Sequence, residues 1–189
     1  MNFDEAISII FSAPAIAIYV VIIFSLFSPI GLGRMGIIES LMVGILFLSI
    51  IPIGVIFAVV GNLTGWNVFD RRKRNKIYPF VIVSYVIGAG VFWFYNNHIM
   101  FMISLSYIFV TLSLMFINFF WKISAHTAGV AGPVTALAYV FGWSLAFLYI
   151  FIPLVAYSRK RLGSHDFNQL LAGTLIAIFI TILIYFIWW

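Results

Sequence analysis

Two stretches, "WKISAHTAGVAG" (121–132) and "SRKRLGSHDFNQLLAG" (158–173), put two histidines and several cations into a chain that is otherwise apolar. Histidine titrates near neutrality and serves as proton donor, acceptor or nucleophile, while arginine grips phosphate oxygens with two parallel hydrogen bonds. Acids are scarce beside these cations: Asp70, Asp166, and Asp4 with Glu5 in the N-terminal tail. A divalent-metal site built from oxygen ligands is therefore not expected, and neither is a cofactor. His126 and His165 among Arg and Lys suit a bound phosphate. Taken singly, each stretch has a plainer reading, as a packing histidine or a basic loop ahead of an ordinary helix. His98, in the turn "FYNNHI", keeps that plainer reading.

The elements that would position these groups are membrane helices. Of the 189 residues, 65% are hydrophobic, 19% aromatic and 8% charged, with a mean hydropathy of +1.18. A soluble surface needs far more charge, and apolar runs near the length of a bilayer crossing recur throughout. The fold class is all-α, a polytopic transmembrane bundle of 6–7 spans forming a single integral domain over 1–189. The expected spans are 7–29, 37–60, 79–96, 99–121, 124–142, 143–157 and 167–188. Pro14, Pro29 and Pro52 kink or end helices, and Trp188 with Trp189 forms an interfacial anchor. Asp4 and Glu5 stand where a removable signal would carry cations, so the first apolar run reads as a retained span. The chain has no cysteine, which excludes disulfide and thiol chemistry.

Topology decides whether the two stretches share a site. "DRRKRNK" (70–76), Lys122 and "RKR" (159–161) hold nine of the ten cations, leaving Arg34 elsewhere. With two spans between 76 and 122 and two more between 126 and 158, these clusters fall on one face. A hairpin tipped at Gly142–Trp143 is essential here, because a single crossing would put His126 and His165 on opposite faces. Setting Arg71, Lys122 and Arg159 aside as site residues, six cations remain on that face against Arg34 opposite, which points to the cytoplasm. The same asymmetry accounts for the net charge of +5 without nucleic acid as a partner.

In this order, the residues resemble the type 2 phosphatidic acid phosphatase superfamily. "SRKRLGSH" fits its Ser-Arg-x5-His element, and "KISAHT" is similar to its Pro-Ser-Gly-His element, with Ser124 and His126 kept. The preceding Lys-x6-Arg-Pro element is degenerate: Arg71 stands for the Lys, Tyr78 for the Arg, and Pro79 matches. Arg74 or Lys76 is the candidate replacement for the missing arginine. Four residues after His165 comes Gln169 where most members carry Asp, as in the dolichyl-diphosphate phosphatase and glucose-6-phosphatase branches. The resemblance covers about 70–175, and implies a phosphatase-like core over about 70–188.

What the resemblance implies is metal-independent hydrolysis of a phosphorylated lipid in the bilayer. His165 would attack phosphorus, His126 would protonate the leaving oxygen, and Gln169 would orient His165. Arg159, Lys122, Ser124, Arg71, Arg74 and Ser158 would hold the phosphate. Polyprenyl or dolichyl-type phosphates and diphosphates suit the Gln variant best, ahead of glycerolipid phosphates. Asp166, at i+1 from His165, reads as a first-turn acid of the last helix. Ala125, Ala128, Gly129 and Gly132 read as close-packing positions. Membrane prenyltransferases and CDP-alcohol phosphotransferases need aspartate arrays that three Asp cannot supply. The alternative is a phosphatase-like bundle that binds or transports a phosphorylated lipid without hydrolysis; a channel-forming subunit would not explain the two ordered histidine motifs.

Overall fold

In the computed structural model, which describes residues 3–60 and 71–189, every element among the described residues is helical. Asp70 lies outside the described residues. The first expected span is a bent pair: α1 (Phe3–Ile10) and α2 (Ala13–Phe27) meet at 48°. The chain leaves the helical region at Ser12, and Pro14 sits in the first turn of α2, where its missing N–H breaks no bond. The span expected at 37–60 is α3 (Ile37–Ile45), a π-turn (Leu46–Ile50) and α4 (Ile51–Val60), which together form one rod. Pro52 explains the turn's tether. A carbonyl inside a π-turn looks five residues ahead, and Phe47 finds Pro52 there, without an N–H. Ser84 Oγ donates to the Phe47 oxygen instead, at 2.6 Å.

α5 (Arg71–Phe94) starts at Arg71, well before the expected 79, so the cation run is helix and not loop. Its buried residues Arg74, Ile77, Tyr78, Val81, Ser84 and Tyr85 form one helical stripe. Asn118 of α6 (His98–Phe120) fastens the first turns by donating from Nδ2 to the Arg71 carbonyl and to Asn75 Oδ1. α5 and α6 are joined by the tight turn expected at "FYNNHI", where Asn97 caps α6.

The 124–157 segment folds back on itself. α7 (Ala125–Phe141) ends at Gly142, whose φ of +91° favours glycine. A 3₁₀ stretch (Trp143–Ile150) then runs into α8 (Phe151–Arg161). Both arms return to one end, because Ser8 lies between His126 at the start of α7 and Arg159 at the end of α8. α9 (Phe167–Trp188) closes the bundle.

Among the described residues, four rods are long and apolar enough to cross a bilayer: Ile37–Val59, α5, α6 and α9. The bent α1–α2 pair would make a fifth. The count falls short of 6–7 because α7 has 17 residues and its return arm changes helix type midway. Where the expected close-packing residues sit, Gly129 lies against Ala13 of α2, and Gly132 faces Thr181 of α9.

Candidate functional site

The site is assembled where α5, α7, α8 and α9 begin or end together. Its geometry starts from how α8 stops. The Ser164 N–H bonds back to the Arg159 carbonyl at 3.1 Å and the Gly163 N–H to Lys160 at 3.0 Å, with Gly163 at φ +64°. This is a Schellman closure, which needs a left-handed residue after the helix. It explains physically why "SRKRLGSH" carries a glycine in its spacer: the reversal delivers Arg159 and His165 to one place.

Two helix starts are locked side by side next to it. Ser124 caps α7 by accepting from the Thr127 N–H at 3.4 Å, and Asp166 caps α9 by accepting from the Gln169 N–H at 2.9 Å. Asp166 therefore serves the helix and points away from His165, as expected. The Ser124 N–H donates to the Gln169 carbonyl at 3.2 Å, and Thr127 Oγ1 to the Leu170 carbonyl at 2.9 Å. Gly173 makes that approach possible, since a Cβ there would collide with the Ser124 carbonyl.

His165 is buried, 6% exposed, and held from both ring nitrogens. Arg74 Nη2 lies 3.2 Å from Nε2, and Gln169 Oε1 lies 2.9 Å from Nδ1. A guanidinium only donates, so Nε2 accepts, and Nδ1 must carry the proton that goes to Gln169. The Nε2 lone pair, the one a nucleophile would use, thus faces the cationic side of the site. Burial, then Arg74, pulls the His165 pKa from 6.5 down to about 3; Arg159 and Lys122 push the same way, and the Gln169 bond opposes them. Lys122, half-buried on the link between α6 and α7, is also shifted downward, first by burial and then by Arg74 and Arg159. Among the described residues, the charges that shift these two groups are the cations Arg74, Arg159 and, for His165, Lys122. An anion is the ligand such a site would hold.

The second histidine meets the third cation through a residue that the motifs do not contain. Arg159, fully buried, donates from Nη1 to Ser8 Oγ at 2.7 Å, and the same oxygen lies 3.4 Å from His126 Nε2. Arg74, Arg159 and His126 line one cavity of about 110 Å³. Its wall of Ala13, Pro14, Ile56, Ile77, Tyr78 and Ala125 is shared with an apolar cavity of about 130 Å³ deeper in the bundle.

No known protein family, characterised protein or solved structure matches this chain.

Of the expected site residues, His165, Gln169, Arg74, His126, Arg159, Lys122 and Ser124 are brought together. Arg71 and Ser158 are not. Arg71 is exposed and donates from Nη1 to the Phe120 carbonyl at 2.7 Å, capping the end of α6. Ser158 donates to the Asp4 carbonyl at 2.8 Å, which ties α8 to α1. Between the two candidates for the missing first-motif arginine, Arg74 is inward and Lys76 is exposed. Arg74 also donates from Nη1 to the Ile123 carbonyl at 2.8 Å, which fixes its aim. The buried stripe through Ile77, Tyr78 and Val81 was the sequence signal for it. Ser8 had no such signal, being one hydroxyl in an apolar stretch far from either motif. Among the described residues no three His, Asp or Glu side chains group as metal ligands.

Proposed function

We propose that this protein is a metal-independent membrane phosphatase that removes phosphate from a lipid phosphate or diphosphate through a phosphohistidine. One observation carries the reading: Gln169 Oε1 lies 2.9 Å from His165 Nδ1 and Arg74 Nη2 lies 3.2 Å from Nε2, which leaves the Nε2 lone pair on the side of the cations. A neutral imidazole is the nucleophilic form, and fixed cations would stabilise charge building on phosphate oxygens. In the first step the anionic substrate brings a proton onto His126. Nε2 of His165 then forms a bond to phosphorus while the bond to the leaving oxygen breaks and the His126 imidazolium gives that oxygen its proton. Arg74 moves from Nε2 to the phosphoryl oxygens, joined by Arg159, Lys122 and the amides after Ser124. In the second, His126 takes a proton from water, the water oxygen bonds to phosphorus, and the P–N bond breaks to release phosphate and restore His165.

The adjoining apolar cavity supports a substrate with a hydrocarbon tail, in keeping with a polyprenyl or glycerolipid phosphate. Arm lengths support a seven-crossing bundle. α7 reaches about 26 Å at 1.5 Å per residue, and the 3₁₀–α8 arm reaches about 32 Å, near the thickness of the hydrocarbon core. The cation excess at the site end favours a cytoplasmic face in a cell membrane. The second reading, binding or transport without hydrolysis, is favoured by one feature, the engagement of both His126 and Arg159 by Ser8.

The test is phosphate release by purified protein in detergent, from polyprenyl diphosphate and phosphatidic acid with EDTA present. Release should be abolished in His165→Ala and greatly reduced in His126→Ala. Retained lipid binding without release from either substrate would replace hydrolysis by the second reading.

A further inference from the structure

α1 reaches the site from a part of the chain that neither motif includes. Ser8 Oγ takes the hydrogen bond from Arg159 Nη1 and stands within reach of His126 Nε2. A leaving oxygen in the proposed reaction needs those two contacts, one from a cation that stabilises its charge and one from the acid that protonates it. An alcohol oxygen already occupies that position. His126 Nε2 cannot meet Ser8 and a leaving oxygen at once, whereas the Arg159 guanidinium has further N–H groups besides the one on Ser8.

The rest of α1 is held to match. Its Asp4 carbonyl accepts from Ser158 Oγ, and the Asp4 carboxylate lies 3.5 Å from Arg161 Nε. Ile7 is its buried apolar contact. The junction to α2 is a break with Ser12 at φ −66° and ψ 151°, followed by the 48° bend, so α1 is not a rigid extension of α2. The Ser158 bond is neutral, the Arg159 bond to Ser8 is charge-assisted, and the ion pair's Arg161 is 60% exposed, so each is a tie that contacts to a bound phosphate can replace.

Resting on the phosphatase reading, we infer that α1 is a built-in lid, with Ser8 as an internal stand-in for the leaving oxygen that substrate must displace. Ser158 then has a role that its motif position did not suggest: it anchors the lid. The lid also makes hydrolysis depend on whatever moves the N-terminal helix, because the His126 ring nitrogen that faces Ser8 is released with it.

The test uses orthovanadate, a phosphate mimic, on the full chain in detergent without divalent metal. Ser8→Ala should bind it about five-fold more tightly, the equivalent of one hydrogen bond no longer competing. Ser8→Thr, which keeps the hydroxyl, should bind like the parent. The chain has no cysteine, so Phe3→Cys and Phe167→Cys, both exposed, take a pair of spin labels. Their separation should lengthen on adding vanadate to the parent, and in Ser8→Ala without any ligand. Weaker binding in Ser8→Ala would make Ser8 a positioning residue and overturn the lid. So would vanadate binding with an unchanged separation. Absence of vanadate binding in parent and Ser8→Ala alike would overturn the phosphate reading, and the lid with it.

Discussion

Arg74→Gln and Arg71→Gln separate the two arginines that the resemblance offered for the first element, Arg71 in place of its Lys and Arg74 as one of two candidates for its missing Arg. Arg74 is 7% exposed and makes charge-assisted contacts to His165 Nε2 and the Ile123 carbonyl. Losing the one that would pass to the phosphate costs about 2 kcal/mol, near thirty-fold in kcat/KM. Arg71→Gln touches an exposed cap on α6 and should change kcat/KM less than about threefold. The pH profile adds a second readout. On the proposed mechanism His165 attacks as the neutral base, so the acid limb of kcat/KM should lie near its pKa of about 3 and not near 6.5. Removing Arg74 deletes a positive neighbour and raises that pKa, so the limb moves toward neutrality. It stops short of 6.5 because burial, the larger cause, remains. Linkage carries the same sign: the unfolded chain takes a proton near 6.5 that the folded site refuses until about 3. Stability is therefore full above 6.5 and falls with pH across that window. Initial rates on a short-chain lipid phosphate from about pH 2.5 to 8, for parent and both variants, decide it. A larger loss in Arg71→Gln than in Arg74→Gln, or an acid limb in the parent near 6.5, would refute the assignment.

Gln169→Leu leaves the His165 Nδ1–H without its acceptor, and kcat should fall about ten-fold with KM within two-fold. Gln169→Glu should restore the rate; a Leu variant of full activity would show that the tautomer is set elsewhere. Gly173→Ala drives a methyl into the Ser124 carbonyl and against Thr127 Oγ1, parting the starts of α7 and α9. The expected cost is about 1–3 kcal/mol, read as a lower thermal midpoint in detergent together with loss of phosphate release. An unchanged midpoint would mean that the two helix starts tolerate separation.

Helical class, the turn at "FYNNHI" and the hairpin tip at Gly142 were legible because each rests on local chemistry: apolar run length, a polar break, and a glycine with positive φ. Co-location of His126 and His165 followed from that hairpin. The start of α5 was misplaced because a run of Arg and Lys was read by charge alone. Its helical period puts Arg74 on the buried stripe with Ile77 and Tyr78, three and four residues on, while Arg71 is left on the exposed side. The 3₁₀ stretch after Gly142 left no pattern, since an apolar segment permits either helix. Ser8 was illegible for a different reason. Its significance is a contact 118 residues away in the chain, and nothing in its own neighbourhood distinguishes it from other serines in apolar helices.

On the proposed reading, a Gln at 169 suits the charges around it better than an Asp would. An aspartate there would accept from Nδ1 equally well, but it would raise the His165 pKa and offset the field of Arg74, Arg159 and Lys122. A glutamine fixes the same tautomer and leaves that field undiminished for an anion. On the proposed mechanism the exchange has a cost, because a neutral partner stabilises the phosphorylated, positively charged ring less than a carboxylate does. The three cations near His165 would press in the same unfavourable direction on that ring. Both effects shorten the lifetime of the intermediate and favour its hydrolysis. On that mechanism His126 must be free to meet the leaving oxygen, and Ser8 Oγ, 3.4 Å from His126 Nε2, stands where that oxygen would come.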